Sequence, residues 1–256
     1  MIQRSQIGSQ GYLQRTQNRK WGKFMATYVM SDIHGNCEKY QQALKAIKLQ
    51  ENDTLYVLGD VVDRGTGSCR ILLDMMCHFN IIPLIGNHEF MAISVLSKLV
   101  KEITEDTLGS LNQDFMTGML TWFENGGQST FEEFKTLSPE DRQTILEYLE
   151  EFELYEEITV NGQDYILIHA GLDNFKKRKR LSDYQLHEII WAENNYNKVY
   201  FEDKILITGH TPVQLLSNGK SEKILKMNNH IAIDCGCGFN GKLGLLCLDT
   251  MEEMYF

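Results

Sequence analysis

Short apolar runs alternate with segments of helical periodicity through the first third of the chain. The run Leu55–Leu58 is rich in residues that favour strands, and it stops at Gly59. A segment with apolar residues at helical spacing follows, and Ile71 and Leu72 are predicted to face inward. The pattern predicts three strands and two helices in alternation: Ala26–Ser31, Cys37–Lys48, Thr54–Leu58, Ser68–Phe79 and Ile81–Ile85. This β-α-β-α-β order predicts a parallel sheet with helices packed on its faces.

Residues from about 90 to 155 change character, because they carry helical patterns and no strand pattern. Three helices are predicted there: Phe90–Lys101, Leu111–Glu124 and Pro139–Phe152. A helical insertion of this kind more often caps an active site than forms an independent domain.

The second half returns to strand patterns and begins with a hairpin. Asn161-Gly162 separates the runs Glu156–Val160 and Asp164–Ile168, and this dipeptide is typical of a type I′ turn. Further strands are predicted over Lys204–Thr208, Ile231–Ile233 and Leu243–Asp249. The sheet of the second half is therefore predicted to be mixed or antiparallel.

Composition and charge narrow the class of protein. A chain of 256 residues with 43% apolar content predicts one sizeable core, so residues 25–256 are predicted to form a single domain. Residues 1–24 carry five basic residues and no acid, which predicts a disordered basic leader or, as an alternative, a transit peptide. The rest of the chain has 20 basic and 35 acidic residues, a net charge of −15. An acidic body excludes the basic face expected of nucleic-acid binders and suits a protein that collects divalent cations.

The compartment is predicted from the cysteines and from hydropathy. The six cysteines form no C-x-x-C pair, which is typical of reduced thiols in a cytoplasmic protein. No apolar run approaches the ~20 residues that span a bilayer, so no membrane partner is expected. Oligomeric state is left open.

Polar side chains follow the ends of five predicted strands. They are Asp32 and His34, Asp60, Asn87 and His88, His169, and His210. Even without His88, the three other imidazoles, the two carboxylates and the amide oxygen exceed what one tetrahedral ion needs. They fit two cations about 3.5–4 Å apart, the spacing that clamps the attacking and leaving oxygens in phosphoryl displacement. Mixed nitrogen and oxygen ligands without a thiolate favour Mn²⁺, Fe or Zn²⁺ over Ca²⁺.

Five motifs carry a family resemblance. In chain order they are Asp32-Ile33-His34-Gly35, Gly59-Asp60-Val61-Val62-Asp63-Arg64-Gly65, Gly86-Asn87-His88-Glu89, His169-Ala170-Gly171 and Gly209-His210-Thr211. From about Met25 onward the chain resembles the calcineurin-like metallophosphoesterases, and within them the PPP serine/threonine protein phosphatases of bacterial and phage type. The tail from Ile233 to Gly236 also resembles that branch. The resemblance implies an α/β fold, a four-layer αββα sandwich with a helical insertion.

The resemblance also implies roles for these residues. Terminal metal ligands are matched by Asp32, His34, His169 and His210. Asp60 matches the carboxylate that bridges two divalent ions, which are expected to be Mn, with Fe or Zn as alternatives. Asn87 matches a metal ligand that binds through its amide oxygen and also contacts the substrate. His88 matches the general acid, Asp63 the carboxylate that orients it, and Arg64 the arginine that grips the phosphate. The implied activity is phosphomonoester hydrolysis by in-line attack of a metal-activated hydroxide. A phosphorylated protein or a small phosphoester is the implied substrate.

One position departs from the family pattern. Bacterial relatives carry Trp-x-Arg after the His-Ala-Gly motif, whereas this chain has Trp191-Ala192-Glu193. A glutamate there would repel a phosphate dianion. Arg178 or Arg180 of the neighbouring basic loop could supply the missing guanidinium, and a solvated basic loop is the simpler interpretation.

Two alternative functions remain open. Dinucleoside tetraphosphate hydrolases of the same fold typically carry Ala-Arg-Gly and Gly-Asn-His-Asp, where this chain has Asp63-Arg64-Gly65 and Glu89, so these motifs favour a protein phosphatase. A non-catalytic phosphoprotein-binding relative is suggested by Glu193 alone, and the filled set of metal-ligand positions argues against it.

Overall fold

The computed structural model describes residues 25–100 and 112–256. The leader predicted over residues 1–24 lies outside this part of the chain, as do Lys101 and Leu111 at the ends of two predicted helices. The strands are β1 (Thr27–Met30), β2 (Thr54–Val57), β3 (Ile81–Pro83), β4 (Tyr155–Val160), β5 (Gln163–Ile168), β6 (Lys204–Thr208), β7 (Leu225–Met227), β8 (His230–Ala232), β9 (Gly244–Cys247) and β10 (Glu253–Tyr255). The helices are α1 (Cys37–Ile47), α2 (Ser68–Met76), α3 (Asn87–Leu99), α4 (Gln113–Glu124), α5 (Gln128–Thr136), α6 (Pro139–Glu150), α7 (Leu186–Ile190) and α8 (Val213–Leu216).

The strands form two sheets of five in the described chain. The first has the order β10-β9-β1-β2-β3, in which β1, β2 and β3 run parallel and β9 and β10 pair antiparallel. The second has the order β4-β5-β6-β8-β7, with β5, β6 and β8 parallel and β4 and β7 antiparallel at its edges. The parallel pairing predicted for the first three strands and the mixed sheet predicted for the second half are confirmed. The strand predicted over Leu243–Asp249 was wrongly assigned to the second-half sheet, because β9 pairs with β1 and makes the first sheet mixed as well.

The two sheets pack face to face. Alternate residues of β2 point to opposite sides, and Tyr56 joins Leu167 of β5 and Ile207 of β6 in an apolar layer between the sheets. Leu55 and Val57 point the other way into a core shared with α1, α2, α3 and the inserted helices.

The outer face of the second sheet is covered as well. Ile166 and Leu206 pack there against Ile189 of α7. Three apolar layers therefore separate helix, sheet, sheet and helix, which is the predicted four-layer αββα sandwich.

In the described part of the region between β3 and β4, the chain forms the helices α3 to α6, with short turns between α4, α5 and α6, and the strand pairing is limited to an isolated bridge between Leu84 and Glu153. Helix α5 was not predicted, because it begins after Gly126-Gly127 with no side chain capping its first turn. Helix α3 begins at Asn87 rather than at Phe90, so Asn87 and His88 lie in its first turn. The three-residue strands β7 and β10 were also missed. That residues 25–256 form a single domain stays a prediction.

Two further observations concern the sequence-based predictions about membrane-spanning segments and about the cysteines. Within the described residues, each helix is too short or too polar to cross a membrane. All six cysteines are free thiols in the structure, and four of them are buried.

Candidate metal centre

The sheet topology brings the predicted polar residues to one edge of the sandwich. Residues that follow β1, β2 and β3 in the first sheet meet residues that follow β5 and β6 in the second, because these parallel strands end on the same side. All but His210 and Arg64 of the predicted site residues are buried, and those two are partly buried. The full set gathered there is Asp32, His34, Asp60, Asp63, Arg64, Asn87, His88, His169 and His210.

The backbone at this edge is strained. Six of these residues adopt left-handed conformations with φ between 48° and 75°, a region that ordinary side chains avoid. They are Asp32, His34, Asp60, Asp63, Arg64 and His210. Strain of this kind costs about 1–3 kcal/mol per residue and accumulates at functional sites, where the surrounding contacts hold it in place.

Asp60 lies between two groups of potential ligands. Its Oδ1 is 3.4 Å from Nε2 of His169, and its Oδ2 is 3.7 Å from Nε2 of His34. Asp60 thus belongs to two clusters whose ligand atoms all lie within 4.8 Å of one another, one with His34 and His88 and one with His169 and His210. Burial alone would raise the pKa of the Asp60 carboxyl, but the surrounding imidazoles, led by His169, lower it below its ordinary value. The carboxylate is therefore charged and has one oxygen for each cluster.

The Oδ1 side of Asp60 holds His169, His210 and Asn87. Nδ1 of His169 lies 2.7 Å from the carbonyl oxygen of Leu58, so this nitrogen carries the ring proton. Burial lowers the pKa of His169, and the neutral ring then has a lone pair on Nε2, 2.9 Å from Oδ1 of Asn87. Nδ1 of His210 lies 3.0 Å from the same oxygen. Two electron pairs that face each other at this distance repel unless a cation lies between them, so this donor set fits a metal ion.

The Oδ2 side holds His34 and Asp32. Nδ1 of His34 donates to the carbonyl oxygen of Val62 at 3.0 Å, which leaves Nε2 as the ligand atom, 4.0 Å from Oδ1 of Asp32. Burial lowers the pKa of His34 to about 3, so its ring is neutral. Nε2 accepts a hydrogen bond from Nη1 of Arg64 at 2.6 Å. A cation bound to His34 would use the same lone pair, so Arg64 must release it on metal binding.

A residue that follows β6 of the second sheet also contacts Asp32 on the Oδ2 side of Asp60. The backbone N–H of His210 donates to both carboxylate oxygens of Asp32, at 3.2 and 3.0 Å. Burial, followed by the charges of Asp234 and Asp60, raises the pKa of Asp32 well above its ordinary value. The buried carboxylates of Asp32, Asp60 and Asp234 repel one another, and divalent cations would relieve that repulsion.

His88 and Asp63 form a buried pair. Nδ1 of His88 lies 2.7 Å from Oδ2 of Asp63, while Nε2 of His88 faces the site, 3.9 Å from Oδ2 of Asp60 and 3.1 Å from Nη2 of Arg64. Burial alone would lower the pKa of His88, but Asp60 and Asp63 raise it above its ordinary value. The arrangement can hold a proton on Nε2 at the point where a leaving oxygen would lie.

The helical insertion completes this pair. Nε1 of Trp122 on α4 donates to Oδ2 of Asp63 at 2.8 Å, and Oγ1 of Thr130 on α5 donates to Oδ1 at 2.8 Å. The N–H of Arg64 donates to the carbonyl oxygen of Gly126, between the two helices, at 3.0 Å. The insertion therefore fixes the carboxylate that orients His88 and also anchors the backbone of Arg64. Sequence reasoning missed both side chains, since neither lies in a motif.

Glu89 is a third residue with an unpredicted part in the site. Its carboxylate accepts backbone N–H groups from Asp60 at 2.7 Å, Val61 at 2.8 Å and Gly86 at 2.9 Å. Burial, then the charge of Asp60, raises the pKa of Glu89 to about 7. Through these hydrogen bonds, the Glu89 side chain holds the loop that carries Asp60 against the start of α3. The signal for it was present, because a glutamate at the third position of a helix can accept the backbone N–H of the residue before the helix, here Gly86.

The segment Trp191-Ala192-Glu193, which departs from the family pattern at Glu193, contacts the centre through Trp191. The ring of Trp191 is 6.1 Å from that of His210, edge to face, while Glu193 is exposed. Arg180 donates twice to Asp183, at 3.0 and 2.8 Å, and lies in a cleft with Glu157 on β4. Those contacts hold the Arg180 guanidinium on the outer face of the second sheet, so they give no support to Arg180 as the replacement for the family arginine. Arg178 is exposed.

Comparisons with known proteins agree with this geometry. The family model described as calcineurin-like phosphoesterase matches residues 25–236. The chain is 29% identical over 150 residues to a symmetrical bis(5'-nucleosyl)-tetraphosphatase of Acidovorax ebreus (strain TPSY), an alignment that covers 58% of this chain and 44% of the relative. It is 33% identical over 89 residues to a protein of the same name from Proteus mirabilis (strain HI4320), covering 34% of this chain and 33% of the relative. Both alignments span less than half of the relative's length.

Solved structures share the fold at low sequence identity. A crystal structure of a protein described as a diadenosine tetraphosphatase has a TM-score of 0.62 at 13% identity, covering 91% of this chain and 93% of the other. A cold-active protein tyrosine phosphatase has a TM-score of 0.52 at 15% identity, covering 91% of this chain and 79% of the other. The family model spans most of the chain, and the motifs that define the resemblance meet at one buried edge. The chain therefore belongs to the calcineurin-like phosphoesterase family.

Proposed function

We propose that this protein is a two-metal hydrolase that cleaves bis(5'-nucleosyl) tetraphosphates. The single observation that carries the hydrolase is Asp60, whose two carboxylate oxygens face separate groups of ligand atoms. The substrate class is supported by the names of the curated relatives. These relatives favour the tetraphosphate alternative over the protein phosphatase that the Asp63-Arg64-Gly65 and Glu89 motifs favoured.

The proposed ligand sets follow the two sides of Asp60. Asp32, His34 and Oδ2 of Asp60 would hold one ion, and Asn87, His169, His210 and Oδ1 of Asp60 would hold the other. Imidazole, carboxylate and amide donors suit Mn²⁺ first, with Fe or Zn²⁺ as alternatives. When bound, a pair of divalent ions lowers the pKa of water and neutralises phosphoryl charge.

The protein groups supply the rest of the reaction. The Arg64 guanidinium, placed by the Gly126 carbonyl and directed at the rings of His34 and His88, can bind two non-bridging phosphoryl oxygens at once. Asn87 at the start of α3 lies beside the same oxygens in this proposal. His88 protonates the leaving oxygen through Nε2, and Asp63 keeps Nδ1 protonated and fixes the ring. Cleavage between the second and third phosphorus atoms would release two nucleoside diphosphates.

Hydrolysis of phosphorylated proteins is the second candidate. A specific observation favours it, which is the short His88–Asp63 hydrogen bond together with the raised pKa of His88. The alkoxide of a serine or threonine side chain is a poor leaving group and requires a proton, whereas a nucleoside diphosphate leaves with less help.

One experiment separates the candidates. Purified protein would be incubated with Mn²⁺, Mg²⁺, Zn²⁺ or a chelator, and with diadenosine tetraphosphate, a phosphoserine peptide, a phosphotyrosine peptide and p-nitrophenyl phosphate. Chromatography should show ADP as the sole nucleotide product, dependent on metal and lost in Asp60→Asn. A kcat/KM for the phosphoserine peptide that exceeds the value for the tetraphosphate would reject the primary proposal in favour of the second. Binding of the phosphopeptide without turnover of any substrate would instead support a non-catalytic relative.

A further inference from the structure

Two exposed aromatic rings border the metal centre. Phe239 is 63% exposed and Trp191 is 41% exposed, although each belongs to a segment that is otherwise anchored to the site. Single exposed aromatic residues are ordinary on protein surfaces. These two are unusual because each ring contacts a residue of the centre.

Phe239 lies on the Oδ2 side of Asp60. The guanidinium carbon of Arg64 is 4.2 Å from the centroid of the Phe239 ring. The preceding residue must be small, since a Cβ atom at Gly238 would collide with the His34 ring and with Arg64. The turn Cys237–Phe239 therefore sits directly on the centre, with one side of the Phe239 ring on a cation.

Trp191 lies on the Oδ1 side. Its ring meets the His210 ring edge to face at 6.1 Å. The residue is held at the end of α7, where the carbonyl oxygen of Ile189 accepts the N–H groups of Ala170 and Gly171 at 3.1 Å each. The segment that carries Trp191 is thus fastened to the backbone that follows His169.

The two rings therefore approach the centre on different sides of Asp60. Phe239 contacts Arg64, which is bonded to His34 on the Oδ2 side. Trp191 contacts His210, whose Nδ1 faces the same Asn87 oxygen as Nε2 of His169 on the Oδ1 side. A phosphate chain laid across both ions would run from one ring towards the other. A molecule with a flat base at each end of such a chain would present one base to each ring.

We propose that Phe239 and Trp191 are stacking platforms for the two nucleobases of a dinucleoside polyphosphate. The inference rests on the proposed function and extends it by assigning the base-recognition residues. Stacking suits this task because every base offers a flat π face, so the platforms would accept adenine and guanine alike. On Phe239 the base would complete a stack of guanidinium, phenyl ring and base.

The test compares Trp191→Ala and Phe239→Ala with the wild-type chain on two substrates. The measured quantity is kcat/KM for diadenosine tetraphosphate divided by kcat/KM for p-nitrophenyl phosphate, which has no base. Each substitution should lower this ratio about tenfold, chiefly through KM for the tetraphosphate. Trp191→Phe and Phe239→Tyr keep a ring and should restore most of the ratio. Phe79→Ala is the matched control, since Phe79 is 77% exposed and lies between α2 and β3.

A binding measurement tests Trp191 without turnover. Trp122 also lies at the site, so the measured quantity is the extra quenching of tryptophan fluorescence by ADP over pyrophosphate, which carries no base. This extra quenching should be present in the wild-type chain and absent in Trp191→Phe.

The outcomes separate the inference from the proposed function. Absence of tetraphosphate cleavage by the wild-type chain with every metal would end the proposed function and this inference with it. Cleavage by the wild-type chain with an unchanged ratio in both alanine variants would overturn the platforms alone. The platforms would also be overturned if the extra quenching by ADP over pyrophosphate persists in Trp191→Phe, or if the variants impair a phosphoserine peptide more than the tetraphosphate.

Discussion

Replacement of Trp122 by phenylalanine tests how the helical insertion acts on the chemistry. The indole N–H is one of three donors to the fully buried Asp63 carboxylate, beside Nδ1 of His88 and Oγ1 of Thr130. Phenylalanine keeps an aromatic ring in the α4 core but removes the donor. Oδ2 of Asp63 would then be bonded to His88 alone, and the carboxylate that orients His88 would be held less firmly.

The expected size of the effect follows from the charge of the acceptor. A hydrogen bond to a buried charged group contributes about 1.5–3 kcal/mol, which corresponds to roughly 10–150-fold in rate if the whole loss falls on the proton transfer. The loss should depend on the leaving group, because p-nitrophenolate leaves without a proton and phenolate needs one. We expect a kcat reduced about 10–100-fold for phenyl phosphate and less than about threefold for p-nitrophenyl phosphate.

The assay is a series of aryl phosphates at saturating Mn²⁺, with kcat plotted against the pKa of the leaving phenol. The slope should steepen in Trp122→Phe. Thr130→Val, which removes the donor to Oδ1, should steepen it as well, and Thr130→Ser should restore the wild-type slope. Circular dichroism and thermal unfolding of each variant check that the fold is intact at the assay temperature.

Two results would refute this reasoning. An equal loss for phenyl and p-nitrophenyl phosphate would mean that Trp122 supports the site as a whole rather than the proton on His88. An unchanged slope in both Trp122→Phe and Thr130→Val would mean that the insertion does not act through Asp63.

Three further predictions concern other residues. Asp60→Asn should reduce the bound metal from two ions to at most one, as measured by elemental analysis, and should lower kcat by more than the ~10–100-fold typical of changes around a metal ligand; two ions with full turnover would contradict the bridging role. Arg64→Lys should raise KM for each substrate about tenfold or more, because an ammonium cannot bind two oxygens as a planar fork does, and an unchanged KM would count against phosphate binding. His230 is buried against Tyr196 and Tyr200, and burial lowers its pKa to about 3. Neutral His230 therefore stabilises the folded state fully above pH ~6.5. As the pH falls from there towards 3, the free energy of unfolding decreases by up to about 1.4 kcal/mol per pH unit. Urea unfolding between pH 7 and 5 should show a shallower pH dependence in His230→Gln, and identical slopes would disprove the assignment.

The sequence alone was sufficient for the strands other than β7 and β10, and for the chemistry at the strand ends. The end of a buried strand is visible in the sequence, because an apolar run gives way there to a glycine and a polar residue. The polar residue lies where the chain leaves the core for the surface or for a site. Lys204–Thr208 was predicted with its exact bounds, and the first residues of α1 and α2 were also correct. The gathering of Asp32, Asp60 and Asn87 followed from parallel strand order.

Other features had no local signal. Trp122 and Thr130 are 59 and 67 residues from Asp63 in the chain, and their neighbours follow ordinary helical patterns. The left-handed backbone at Asp60 and His210 is intrinsically disfavoured for these residues, so local preferences argue against it. It persists because Glu89 and the opposite sheet hold those loops from outside.

The sequence by itself thus determined which donors the protein has and which end of the sheets carries them. Only the tertiary structure decided how they are divided. One oxygen of Asp60 faces each group of ligands, a distant insertion holds Asp63, and the exposed rings of Phe239 and Trp191 contact Arg64 and His210. The physical reason is that residue type and periodicity are properties of short segments. The direction of a single lone pair depends instead on packing between segments far apart in the chain, and packing is settled only when both sheets and the inserted helices come together.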